Sequence, residues 1–120
     1  MDQTTNIESL KRIIQEFCAA RDWDQFHAPK ELAIGLSTEA NEVLELFRFK
    51  SEAEVVEKLQ DPEFRTKLSN ELADVLFFLL RFSQMYDFDL SEGFHAKMDS
   101  NAKKYPVDKV KGSNKKYTEY

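Results

Sequence analysis

Apolar residues recur along this chain mostly at helical spacing. Thr5-x-x-Glu8 reads as a capping box, and Ile7, Leu10, Ile13, Ile14 and Phe17 follow it. They predict a first helix from about Asn6 to Ala20. The segment Arg21-Asp22-Trp23-Asp24-Gln25-Phe26-His27-Ala28-Pro29 breaks the pattern. Pro29 suits the first turn of a second helix, where its missing N–H does no harm. Leu32, Ala33, Leu36, Ala40, Val43, Leu44 and Phe47 carry that helix to about Arg48. Ser51-x-x-Glu54 opens a short helix that ends near Leu59. Asp61-Pro62 joins an N-cap to proline at the first helical position, and its helix runs to about Met85. Asp89-x-x-Glu92 starts a last helix, which reaches about Lys104 before Pro106 ends it.

The expected fold is therefore all-α, with four main helices and one short connecting helix in a bundle. Residues 1–120 form one domain, with 107–120 as a basic C-terminal tail. No internal repeat suggests a solenoid. The helix over 62–85 is apolar on most sides of its second half and should be central. Phe77, Phe78, Leu80 and Phe82 cover more than one stripe, which also suits a face turned to another subunit.

Composition narrows the function. A net charge of −5 gives no reason to expect a nucleic-acid polymer as partner. The polar start lacks the apolar segment of a secretory signal, and the apolar run Val75–Leu80 is too short for a membrane span. The one cysteine, Cys18, sits in an apolar helical pattern, reads as core and fits a cytoplasmic setting. Residues 101–120 hold six lysines against Asp108 and Glu119, a balance of +4. That leaves −9 on the first hundred residues, so the tail is either a solvated end or a strap for an acidic site or anionic ligand.

Two acidic pairs stand out: Glu39-x-x-Glu42 and Glu71-x-x-Asp74. Residues three apart share a helix face, so each pair can present two carboxylates together. Glu45, one turn beyond Glu42, is a further candidate ligand or support. Asp74 lies among Leu72, Ala73, Val75 and Leu76 on a helix that looks largely interior, where a bare carboxylate is unfavourable. Like charges brought this close require a cation, and an all-oxygen donor set suits Mg²⁺ or Mn²⁺. Such an ion in turn suits a phosphate substrate, with Lys97, Lys104 and the tail lysines available for its charge. A di-iron bundle would use paired Glu-x-x-His motifs, and only Glu92-x-x-His95 is present. A helical interaction module, with the acids serving solubility, is the non-enzymatic rival.

The pairs, in order with three other segments, resemble the all-α nucleoside triphosphate pyrophosphohydrolases, the MazG-like group that includes the all-α dUTPases. The dCTP pyrophosphatase branch is most similar. Arg21–Pro29 resembles its first loop and Glu39-Ala-Asn-Glu42-Val-Leu-Glu45-Leu-Phe47 its first metal helix. Lys97–Pro106 and Lys115–Glu119 resemble its C-terminal segment. Thr38 stands where many MazG-like chains have a further glutamate, which favours the dCTP branch. Phe49 replaces a tryptophan that helps sandwich the base, so stacking is kept in kind. The resemblance implies hydrolysis between the α and β phosphates of a nucleoside triphosphate, dCTP or a modified dCTP, to monophosphate and pyrophosphate. A dUTPase-like or broad house-cleaning activity is the alternative within the fold. It also implies Mg²⁺ and a homotetramer built as a dimer of dimers, with the site at an interface. Glu39, Glu42, Glu71 and Asp74 would then be the catalytic metal ligands. Trp23, Phe26, His27 and Phe49 would line the base pocket, while Lys97, Asn101, Tyr105 and Lys116 hold phosphate or sugar.

Overall fold

Side-chain caps set the helix starts in the computed structural model, which describes residues 1–120. Asn6 accepts from the Ser9 amide at 2.8 Å and opens α1, Ile7–Ala19. The cap is thus Asn6 rather than the expected Thr5, because the asparagine oxygen reaches the N3 amide itself. Pro29 occupies the first turn of α2, Pro29–Glu45. Ser51 accepts from Glu54 to open α3, Glu52–Lys58. Asp61 accepts from Glu63 ahead of Pro62 and opens α4, Pro62–Met85. Asp89 accepts from Glu92 at the start of α5, Leu90–Lys104. A single turn, α6 (Val107–Val110), and 3-10 turns at Asp24–Phe26 and Tyr117–Glu119 complete an all-helical chain. None of the helices is long and apolar enough to cross a membrane.

The second helix stops three residues short of the expected Arg48. Leu46 and Phe47 tighten to i→i−3 bonds, from the Leu46 amide to Val43 O and from the Phe47 amide to Leu44 O. Phe49 then takes a left-handed backbone, φ 63°, which ends the helical run. A bulky residue in that region is a genuine outlier, and its ring is 90% exposed.

Two compact units make up the chain, Met1–Asp87 and Phe88–Tyr120. In the first, α4 is the hub and packs on both α2 and α1. Its register with α2 is antiparallel: Gly35 faces Phe78, Glu39 faces Glu71 and Asp74, and Phe47 faces Phe64. At Gly35 the two helices approach closely. A Cβ built there would lie 2.3–2.6 Å from the Phe78 ring, so any larger residue forces the ring or the helix aside. On the other flank of α4, Phe17 of α1 meets Phe77 edge-on, with ring centroids 6.3 Å apart. Ile14, Cys18, Leu32, Phe64 and Leu80 form the buried core. Leu72, Leu76 and Leu79, spaced four and three apart along α4, remain 40–52% exposed.

The second unit consists of α5 and the tail. Tyr105 meets Tyr117 and Tyr120 at centroid distances of 6.0 and 6.5 Å. The Tyr120 hydroxyl donates to the Lys104 carbonyl, and the Lys104 ammonium lies 5.2 Å from the centre of the Tyr117 ring. The basic tail is therefore folded back on the end of α5.

Candidate active site

Gly35 lets α2 lie close to α4, and one turn further on the same faces carry the carboxylates. Glu39, Glu71 and Asp74 each offer an oxygen, all within 4.8 Å of one another. Ligands at about 2.1 Å around an octahedral Mg²⁺ lie roughly 3 to 4 Å apart, so small rotamer adjustments would close this set on one ion. Glu42 is outside the trio yet near enough for its charge to be felt. The Glu39 carboxyl is held above its ordinary value of 4.5, first by burial, then by the negative charges of Asp74, Glu71 and Glu42. Like charges facing one another across two helices repel, and a cation between them would relieve that repulsion. The expected burial of Asp74 is not found: Asp74 is exposed, and so are its neighbours Leu72 and Leu76. The apolar run around it reflects a helix that presents leucines outward, not one enclosed within a single chain. Glu45, a further candidate ligand or support, lies 3.5 Å from Arg48 and outside the trio.

The aromatic loop lies against the other flank of α4. Trp23 meets Phe17 at 5.6 Å and His27 at 6.3 Å, both edge-on. Phe26 is 62% exposed in the same turn. What holds this loop is a residue the sequence reading passed over. Arg81 is 1% exposed, and its guanidinium donates to His27 Nδ1 at 2.8 Å, Gln84 Oε1 at 2.6 Å and Asp24 Oδ1 at 2.5 Å. The Tyr86 hydroxyl donates to the His27 carbonyl at 2.8 Å. The available signal was a lone arginine inside an otherwise apolar run, which must find partners if it is buried.

Phe49 lies elsewhere. Its neighbour Phe47 packs on Phe64, whereas Trp23 reaches α4 through Phe17 and Phe77. Those two positions on α4 are roughly 20 Å apart along the helix. One chain therefore does not bring Trp23 and Phe49 together. Arg48 covers the exposed Phe49 ring, with its guanidinium carbon 4.5 Å from the ring centre. A hollow of about 440 Å³ lined by Asn41, Leu44, Glu45, Phe47 and Arg48 lies on the α2 face away from the carboxylates and contains none of them.

In the second unit Lys97 is exposed, and Asn101 is half-buried with its amide 4.0 Å from Met98 Sδ. Tyr105 belongs to the tyrosine cluster. The Lys116 backbone amide donates to Glu119, which leaves its side chain exposed.

Residues 34–120, which include all four acids, match the model of the MazG-like family. The chain is 41% identical over 113 residues to dCTP pyrophosphatase 1 of Rattus norvegicus and 38% identical over 113 residues to that of Homo sapiens. Each match takes in 94% of this chain and 66% of the relative, so the chain spans about two thirds of their length. A crystal structure of a pyrophosphatase from Archaeoglobus fulgidus aligns with a TM-score of 0.77 at 36% identity, over 82% of this chain and 91% of that one. The carboxylates of α2 and α4 fall inside the matched span, and the chain belongs to the MazG-like family.

Proposed function

We propose that this chain is a Mg²⁺-dependent nucleoside triphosphate pyrophosphohydrolase that converts dCTP, or a base-modified dCTP, to monophosphate and pyrophosphate. The observation that carries this reading is the convergence of Glu39, Glu71 and Asp74 from two helices. The names of the mammalian relatives give the choice of dCTP. A bound Mg²⁺ would supply charge for the phosphate oxygens and acidify a water. Glu39, Glu71 and Asp74 would hold the ion. Glu42, exposed beside them, is free to orient the attacking water as a base. The Trp23–His27 turn offers an aromatic face for the base. Lys97, Asn101, Tyr105 and Lys116 are the candidates for phosphate and sugar.

The unit that works is a homo-oligomer, a tetramer arranged as a dimer of dimers. One chain exposes 9560 Å², against about 6,700 Å² for a folded monomer of its mass. The α4 leucine stripe is the apolar surface that a second copy would cover. A base pocket holding both Trp23 and Phe49 would have to draw them from different copies. The free, buried Cys18 fits a cytoplasmic setting.

A nucleotide panel tests the activity. Pyrophosphate should appear with Mg²⁺ and dCTP or modified dCTP, and more slowly with dUTP, dTTP, dATP and ribonucleotides. Release of single phosphates, or no hydrolysis of any triphosphate, would defeat the reading.

The raised Glu39 carboxyl adds a second test. A carboxyl raised on folding contributes stability that is present below its unfolded value, 4.5, and lost as pH rises through the folded value. Without a divalent ion, melting temperature should therefore carry a downward component from Glu39 as pH rises above 4.5, and Glu39→Gln should remove it. Saturating Mg²⁺ at neutral pH should restore stability, by about 2.7 kcal/mol at a hundred times Kd. An equal Mg²⁺ gain in Glu39→Gln would take Glu39 out of the ion's coordination.

A further inference from the structure

The loop that carries Trp23 is fastened to α4 by one buried cation. Every guanidinium nitrogen of Arg81 is used, Nε on His27, Nη1 on Gln84 and Nη2 on Asp24. Asp24 and His27 bracket the 3-10 turn Asp24–Phe26, and Trp23 immediately precedes it. No buried side-chain nitrogen or oxygen is left without a partner. The bond from Arg81 Nε to His27 Nδ1 does something more specific. A guanidinium has only donors and does not lose its proton in proteins. His27 Nδ1 must therefore accept, so the ring is neutral and carries its hydrogen on Nε2. Burial, and then the Arg81 charge, hold His27 below its ordinary value of 6.5, against an opposing pull from Asp24.

We propose that Arg81 is a positioning residue for nucleobase recognition, fixing His27 as the Nε2–H tautomer beside Trp23 and holding the turn in place. The base then meets an aromatic face whose neighbouring imidazole offers one donor, suited to a carbonyl or ring-nitrogen acceptor. This rests on the pyrophosphohydrolase reading. It assigns Arg81 no contact with the reacting phosphates, so its removal should act on binding rather than on the chemical step.

The test combines histidine NMR with steady-state kinetics on the full chain with Mg²⁺ and dCTP. In the unaltered protein, long-range ¹⁵N–¹H correlations should show His27 with its proton on Nε2 alone. Arg81→Met keeps the volume apolar and should release the ring: a mixed tautomer, a titration nearer the ordinary histidine value, and altered Trp23 fluorescence. KM should rise about tenfold or more while kcat stays within about twofold. Arg81→Lys keeps the charge but not the fork, so it should leave KM raised. The proposal is overturned by an Nδ1 proton in the unaltered protein. It is also overturned if Arg81→Met leaves the His27 tautomer unchanged, or if kcat falls with KM unmoved. If the unaltered protein hydrolyses no triphosphate, the functional reading falls by itself. The NMR comparison then decides whether Arg81 sets the His27 proton, an unchanged tautomer counting against it and a released one for it.

Discussion

Asp74→Asn should lower Mg²⁺-dependent pyrophosphate release by about a thousandfold, the scale seen when a preorganised charge-stabilising group is lost. It should do so without unfolding the protein. Asp74 is exposed on α4, and asparagine keeps its shape while removing one of the facing negative charges. In metal-free buffer the variant should melt at or above the unaltered protein, because repulsion in the trio is relieved. With Mg²⁺ the order should reverse, since the unaltered protein gains from binding and the variant gains less. The pair of measurements separates a metal ligand from a structural acid. A folded Asp74→Asn protein with native turnover would show that the carboxylate trio does not hold the working ion.

Asp24→Ala should destabilise the fold by about 2–4 kcal/mol, although Asp24 itself is 59% exposed at its side chain. Changes to surface acids usually stay within about 0.5 kcal/mol. The difference comes from the partner. Arg81 is 1% exposed, so losing its carboxylate leaves a buried charge that water does not reach. A fall in melting temperature of about 10 °C is the corresponding observable. Arg81→Met, which removes the cation and fills the space, should be milder, because only the exposed Asp24 and the half-buried His27 and Gln84 lose a partner. The combined Asp24→Ala, Arg81→Met protein should therefore be more stable than Asp24→Ala alone. If Asp24→Ala lost less than about 0.5 kcal/mol, Arg81 would be finding another acceptor or water.

The parts of this molecule that were legible in the sequence are those governed by short-range rules. Asp61-Pro62, Ser51 and Asp89 each start a helix through a bond to an amide two or three residues on. The acid pairs were legible because helical spacing alone places each pair on one face, and the antiparallel register of α2 on α4 then brings Glu39 to Glu71 and Asp74. Arg81 was not legible, because its partners Asp24 and His27 are 57 and 54 residues away and no local pattern links them. The burial of Asp74 was misread for a related reason. An apolar run says that a helix must be covered, but not whether its own chain or another covers it. Phe49 illustrates the same limit: its residue type suggested stacking, while its place at the far end of α4 from Trp23 follows only from the register.

That register also determines where the chain can change in length. Glu39 is fixed against Glu71 and Asp74 by helix packing, not by the connection through residues 46–61. Residues added between Phe49 and Ser51 lengthen a surface link at slight entropic expense and leave the carboxylates facing. One residue added between Gly35 and Glu39 turns everything beyond it by 100° about the helix axis, moving the glutamate off the face that the glycine brings close to α4. Drift in loop length is thus compatible with retained chemistry, while a single insertion of that kind inside α2 is not.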